Sequence, residues 1–288
     1  METGKKRKWK KEEMERNEKI RKEEQNPMRS RQPILETSNL SIGYRSGKME
    51  TVVASGLDLS VGPSQVICLL GQNGIGKSTL LRTLSRMQPA LQGEVLFEGS
   101  SIYDISRNEL ARKIGLVLTE RIPDTNLTVY EMVALGRQPY TNWIGKMGAG
   151  DHARVTEALR DSQLEDLSEK RCDELSDGQL QRAMICRAIA QDTPLILLDE
   201  PTAHLDIQHK IETFQLLREL AGKLDRSVLI STHEVQLATQ MADVLWLMNP
   251  KGIVTGPPDE LIEAGRINEL FDGNSIHFDK ESRQFKIK

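Results

Sequence analysis

The chain has no apolar run near the roughly 18–20 residues that a membrane-spanning helix requires. That excludes a helical bilayer span. Its N-terminus also lacks an apolar h-region, so it does not read as a secretory signal. Cysteine is scarce: Cys68, Cys172 and Cys186 show no metal-ligand spacing and are too few for a disulfide framework. Cys68 lies in an apolar strand-like run and Cys186 in an apolar helix-like run, so both are expected in the core of a protein kept in a reducing cytoplasm. Aromatic residues make up only 4% of the sequence. No basic, aromatic-rich surface of the kind that binds nucleic acid is evident, and no nucleic-acid partner is expected.

Charge is unevenly spread. Residues 1–31 hold 12 Lys/Arg against 7 Glu, so the remainder is more acidic than the overall charge of −3 suggests. Residues 1–32 form a charged tail with almost nothing to bury, read as a solvated helix with Glu–Lys pairs or as disordered chain. Recognisable folded sequence starts at about Pro33, which makes Met28 a second candidate start.

What the sequence does contain is the run Gly71-Gln72-Asn73-Gly74-Ile75-Gly76-Lys77-Ser78-Thr79, after the apolar strand Gln65–Leu70 and before a helix-forming run. It matches the phosphate-cradling pattern G-x-x-x-x-G-K-[ST] in its strand–loop–helix setting. Gly71, Gly74 and Gly76 are expected to give the backbone the freedom to turn its amides toward phosphates, and the following helix adds its positive N-terminal end. Lys77 reaches the β- and γ-phosphates and Ser78 ligates magnesium, so the predicted ligands are ATP and Mg2+.

The element order is that of an α/β protein. Ile34–Tyr44 alternates as an edge strand would, and Val52–Val61 reads as its hairpin partner. Helix 77–86, strand Glu94–Phe97, helix Ile105–Lys113 and strand Ile114–Leu118 follow. Amphipathic helices at Thr128–Leu135 and Asp151–Leu159 then interrupt the pattern. Apolar strands return at Leu195–Leu198, Ser227–Ile230 and Val244–Met248, with helices between them, which indicates a parallel sheet. Ser275–Lys288 alternates like a small hairpin.

Three further runs carry chemistry. Leu195–Leu198 delivers Asp199 and Glu200 at a strand's C-terminal end, where ligands sit in open α/β sheets. Asp199 is read as the magnesium acid and Glu200 as the base that polarises the attacking water. Ser176, Gly178 and Gln179 open a helix of small residues and either bind an anion or form an ordinary N-cap. His233 ends another apolar strand and is either structural or a γ-phosphate contact. Tyr44 is either an adenine-stacking ring or a core residue.

The ordered series Gly71–Thr79, Leu175–Gln179, Leu195–Glu200, Ala203-His204-Leu205-Asp206 and His233 resembles the ATP-binding subunits of ABC transporters over residues 34–265. The resemblance implies a P-loop NTPase (RecA-like) core, an N-terminal antiparallel β-subdomain and an α-helical insert at about 120–184. It places the ATPase domain at 33–265 and leaves a small C-terminal extension at 266–288. It implies a head-to-tail pair, in which Ser176, Gly178 and Gln179 of one copy contact the γ-phosphate held by the other. It makes Tyr44 the adenine-stacking aromatic, Asp206 the D-loop acid and His233 the switch histidine. Asp177 departs from the usual glycine, which is tolerable with its side chain turned from the phosphate. The implied protein is peripheral on the inner face of the cell membrane. It works with a polytopic permease, against which the insert offers a groove, and indirectly with a substrate-binding protein. The runs Leu110-Ala111-Arg112-Lys113, Thr128-Val129-Tyr130-Glu131, Gly136-Arg137-Gln138-Pro139-Tyr140 and Gln191-Asp192 are similar to importers of iron–siderophore complexes, haem and cobalamin. Rival readings are a non-transport ATPase of DNA repair or translation, and a regulator using the basic N-terminal arm. The first usually carries coiled coils, zinc modules or tandem cassettes, none of which occurs here.

One position departs from the family. A glutamine normally ends the strand before the insert, and alignment puts Thr119 there, followed by Glu120. The threonine hydroxyl falls short by about two bonds, so the expectation is a working variant in which Glu120 or a water fills the gap. Replacing Thr119 by Gln should then leave transport-coupled ATPase near the native rate. A large gain would show instead that the native residue impairs coupling.

Overall fold

A computed structural model describes residues 32–47, 49–118, 126–141, 144–203, 205–271 and 276–287. Thirteen strands are described within them. The first six are β1 (Leu35–Ser46), β2 (Met49–Leu57), β3 (Ser60–Val61), β4 (Val66–Leu70), β5 (Gln92–Phe97) and β6 (Ser100–Ser101). The core strands are β7 (Ile114–Val117), β8 (Leu195–Asp199), β9 (Ser227–Thr232), β10 (Val244–Asn249) and β11 (Gly252–Gly256), and β12 (Ile276–Asp279) and β13 (Gln284–Ile287) form a C-terminal hairpin. The helices are α1 (Lys77–Leu84), α2 (Arg107–Leu110), α3 (Val129–Ala134), α4 (Ala149–Asp161), α5 (Asp177–Ala190), α6 (Ile207–Lys223), α7 (Val235–Met241) and α8 (Pro258–Glu263).

The central sheet has six strands in the order β11-β10-β4-β9-β8-β7, parallel except for β11. Its side chains alternate between two cores. Val66, Cys68, Leu70, Ile196, Leu198, Val228 and Ile230 face one core together with the helices of the insert. Ile67, Leu69, Leu195, Leu197, Leu229, Trp246 and Met248 face the other, with the N-terminal strands. Both faces are covered, so these strands are apolar at nearly every position. Burial accordingly raises the thiol pKa of Cys68, and pushes that of Cys186 up to about 12.

The second sheet runs β2-β1-β5-β6, with β3 also paired to β1. The expected edge strand is therefore internal: β1 pairs antiparallel with β2, β3 and β5. Its alternation reports one buried and one wet face and says nothing about which edges are paired. The helix expected over Ile105–Lys113 is only the four residues of α2, capped by Ser106. Tight turn bonds from the Arg112 and Lys113 amides to the Glu109 and Leu110 carbonyls then lead into β7. Strand β11 went unforeseen, being a five-residue run bounded by glycines and paired only to β10. The C-terminal hairpin forms over 276–287, with Phe278 and Phe285 paired across it.

Helices α3, α4 and α5 pack together, and α5 runs unbroken past position 184, where the insert was expected to end. A polar cluster ties this group to the sheet's N-terminal edge. The Arg137 guanidinium donates to Asp151 Oδ1 (3.0 Å) and to the Ala190 carbonyl (2.8 Å), and stacks 3.8 Å from the Tyr140 ring centroid. Arg112 lies 5.0 Å from the same ring and donates to the Pro139 carbonyl. Arg226, just before β9, pairs with Asp192, just before β8. The runs at 110–113, 136–140 and 191–192 thus meet in one place. A hydrogen bond from the Gly148 amide, followed by Arg137, holds the Asp151 carboxyl below its usual range, while burial raises the Tyr140 hydroxyl.

Arg137 is 6% exposed, so its loss strands the buried Ala190 carbonyl and the half-buried Asp151 carboxylate. Arg137→Met should destabilise the full chain by about 3 kcal/mol, read from the midpoint of denaturant unfolding at constant slope. The exposed Arg112→Met should cost under about 1 kcal/mol.

Candidate functional site

Strands β4, β9 and β8 end side by side, with Leu70 opposite Thr232 and Asp199 opposite Ser231. Their pairing brings three segments to a common edge: the loop Gly71–Gly76 after β4, Glu200 after β8 and His233 after β9. Lys77, at the start of α1, is 6% exposed. Its Nζ donates to the carbonyls of Gly71 (2.9 Å) and Gln72 (3.3 Å) and lies 3.2 Å from Glu200 Oε1. His233 Nδ1 is 2.8 Å from Glu200 Oε2, and its Nε2 is 3.3 Å from Glu234 Oε1. Lys210 in turn pairs with Glu234. Lysine, glutamate and histidine from the segments that follow three strands thus form one chain of polar contacts.

The loop is built to receive an anion. Gly74 and Gly76 adopt φ of +79° and +118°, a region other residues resist. Gly71 differs from the expectation: its φ is ordinary, and a Cβ there would meet the Met248 carbonyl at 2.9 Å. Its smallness makes room; it does not supply a turn. At Gly76 a Cβ would also meet Val53 Cγ1 at 2.2 Å, so β2 of the second sheet closes directly on the loop. Helix α1 has no side-chain cap and no acid in its first turn, which leaves its amino end to a ligand.

Tyr44 resolves toward the site. It is 50% exposed, so it is no core residue, and its hydroxyl lies 2.7 Å from Thr79 Oγ1 at the start of α1. Gln72 reaches the other way and donates to the Leu270 carbonyl in the C-terminal extension.

The acids are held by a residue that sequence reasoning passed over. Ser231 is fully buried; its hydroxyl donates to Asp199 Oδ1 (2.6 Å) and accepts from the Glu200 amide (3.0 Å). The Ser231 carbonyl also accepts from that amide at 3.1 Å. Glu200 needs this support, because its φ is +47° immediately before Pro201. The available signal was positional: a small polar residue where two parallel strands end together. Glu200 Oε1 is buried and accepts no aligned hydrogen bond, even with Lys77 beside it. A water poised to attack a terminal phosphate would donate to that oxygen, and Lys77, Ser78 and Asp199 are the groups that a magnesium triphosphate requires. The residues present fit that ligand.

Ser176 caps α5. Its hydroxyl accepts from the Gln179 amide (3.3 Å), and Gln179 Oε1 accepts from the Ser176 amide (3.1 Å). The ordinary capping box is thus present, and it fixes the same turn that an anion would meet. Asp206 caps α6, and hydrogen bonds from the amide and ring of His209 hold its carboxyl below the usual range. Thr119, Glu120 and His204 lie outside the described residues.

The ABC transporter family pattern matches residues 54–203. Relatives include the probable siderophore transport system ATP-binding protein YusV of Bacillus subtilis, 37% identical over 241 residues, which are 83% of this chain and 86% of that protein. Another is the ferric enterobactin transport ATP-binding protein FepC of Escherichia coli, 35% identical over 82% of this chain and 86% of its own length. Among solved structures, a dimeric ATP-binding cassette in a post-hydrolysis state with ADP and phosphate superposes with a TM-score of 0.67. It is 25% identical and is matched over 78% of this chain and 98% of that one.

Proposed function

The chain belongs to the ABC transporter family, as an ATP-binding and ATP-hydrolysing subunit, and we propose that it drives an importer of iron–siderophore-type metal chelates. The carrying observation for hydrolysis is the convergence of Lys77, Glu200 and His233 at the end of the parallel sheet. The reading of import rests on the siderophore and ferric enterobactin transport relatives. Among the described residues no helix is long and apolar enough to cross a membrane, which suits a subunit docked on the inner face through a separate permease. A substrate-binding protein would act outside, away from this chain.

The proposed mechanism uses this chain's own groups. Tyr44 stacks on the adenine, and the amides of the Gly71–Thr79 loop surround the phosphates. Lys77 leaves the Gly71 and Gln72 carbonyls for the γ-phosphate, where its charge offsets that developing on the transferred group. Glu200, freed from Lys77, orients the attacking water and takes its proton. His233, held by Glu200 and Glu234, contacts the γ-phosphate and keeps Glu200 in place. Ser78 and Asp199 would hold magnesium, which would supply positive charge to offset that of the β- and γ-phosphates. The turn Ser176–Gln179 of a second copy completes each site, as a head-to-tail dimer requires.

Glu200→Gln should bind ATP normally, accumulate as a closed dimer on sedimentation, and hydrolyse at least about a hundredfold more slowly. Hydrolysis at the wild-type rate would remove the base assignment. The import reading is checked by purifying the tagged chain from membranes: a polytopic permease should accompany it. The associated binding protein should take up a ferric chelate. Recovery with DNA-repair or ribosomal components would overturn it.

A further inference from the structure

Gly178 lies in the first turn of α5 with an ordinary helical backbone, so it is not a glycine for conformational reasons. Glycine there weakens a helix by roughly 0.5–1 kcal/mol relative to alanine. Space explains it. A Cβ on Gly178 would lie 2.9 Å from His209 Cδ2, 3.1 Å from Cγ and 3.3 Å from Nε2, so the imidazole of α6 lies against the glycine. That ring is fixed from its other side. Asp206 accepts from the His209 amide at 2.9 Å and meets His209 Nδ1 at 2.8 Å, so one carboxylate holds both backbone and ring of the same residue. An acceptor-only carboxylate places a proton on Nδ1. One turn further along both helices, Arg182 on α5 pairs with Glu212 on α6 at 2.6 Å, and Gln208 supports Glu212 at 2.9 Å. The starts of α5 and α6 are latched at two levels.

We propose that His209 is a positioning residue that makes the Ser176–Gln179 turn and the Asp206 segment of one chain move as a single unit. This rests on the reading that the turn contacts the partner's nucleotide. Under that reading α5 begins at one ATP site, while Asp206 lies six residues after the Glu200 that serves the other. Through His209, phosphate engagement on one side is passed to the segment that carries the base on the other. His209 touches neither nucleotide; it sets how closely the two sites act together.

The test uses the complex purified from membranes through a tag on this chain, with fluorescent ATP binding to the full chain measured beside it. His209→Ala should leave ATP binding unchanged and KM within about twofold, while kcat falls about tenfold and the Hill coefficient moves toward one. Gly178→Ala should collide with His209 and lower both thermal stability and kcat. Adding His209→Ala should then restore part of both losses, giving a non-additive pair. Equal losses from Gly178→Ala with and without His209, or an unchanged kcat in His209→Ala, would overturn the proposal. The underlying trans reading is judged separately: if Ser176→Arg leaves the Glu200→Gln dimer trapped as before, that reading fails, whatever the His209 variants show.

Discussion

In-register pairing of three parallel strands is the constraint on which the rest depends. Strands β4, β9 and β8 are hydrogen-bonded so that their carboxyl ends coincide. That coincidence brings Lys77, Glu200 and His233 into one chain of polar contacts, though over 150 residues separate the first from the last. A slip of one residue would move each side chain of the strand to the opposite face and break the alignment of Asp199 with Ser231. Alternate residues pack in two separate cores, so a slip would force both to repack. Ser231 extends the same logic to the backbone: from the strand next to the acids it holds Asp199 and the strained Glu200 together.

The two edges of this sheet do different work. The carboxyl edge gathers the nucleotide groups. The amino edge carries the cluster of Arg137, Tyr140, Asp192 and Arg226, in which both arginines are buried and by which the helical insert is fastened to the core. Fastening the insert at the edge remote from the loop leaves its other end, with Ser176 and Gly178, at the start of α5. The insert is thus fastened near one end of α5, with the Ser176–Gln179 turn at the other. The Gly178–His209 contact makes that turn continuous with the segment after Glu200.

Much of the site was legible because its chemistry is local. The phosphate loop is nine consecutive residues whose spacing carries the mechanism, and Asp199-Glu200 follow an apolar strand whose type is plain from composition. Other features were not legible because they depend on neighbours distant in the chain. Tyr44 alone could not be told from a core aromatic; its exposure and its contact with Thr79 decide that. The internal position of β1 was hidden, since alternation records which face is wet and not which edges are paired. Strand β11 was missed because five residues between glycines carry too little pattern.

The sequence by itself determined that this chain binds and hydrolyses ATP on an α/β scaffold, because the phosphate loop is specific on its own and the acid pair and signature run, weak singly, follow it in one telling order. Tertiary structure decided how those pieces become one device. Only packing shows that Gly71 is small to clear Met248, that Gly178 is small to seat His209, and that Ser231 holds both acids. Each of these is a matter of close approach between segments far apart in the chain, and no spacing within one segment can encode it.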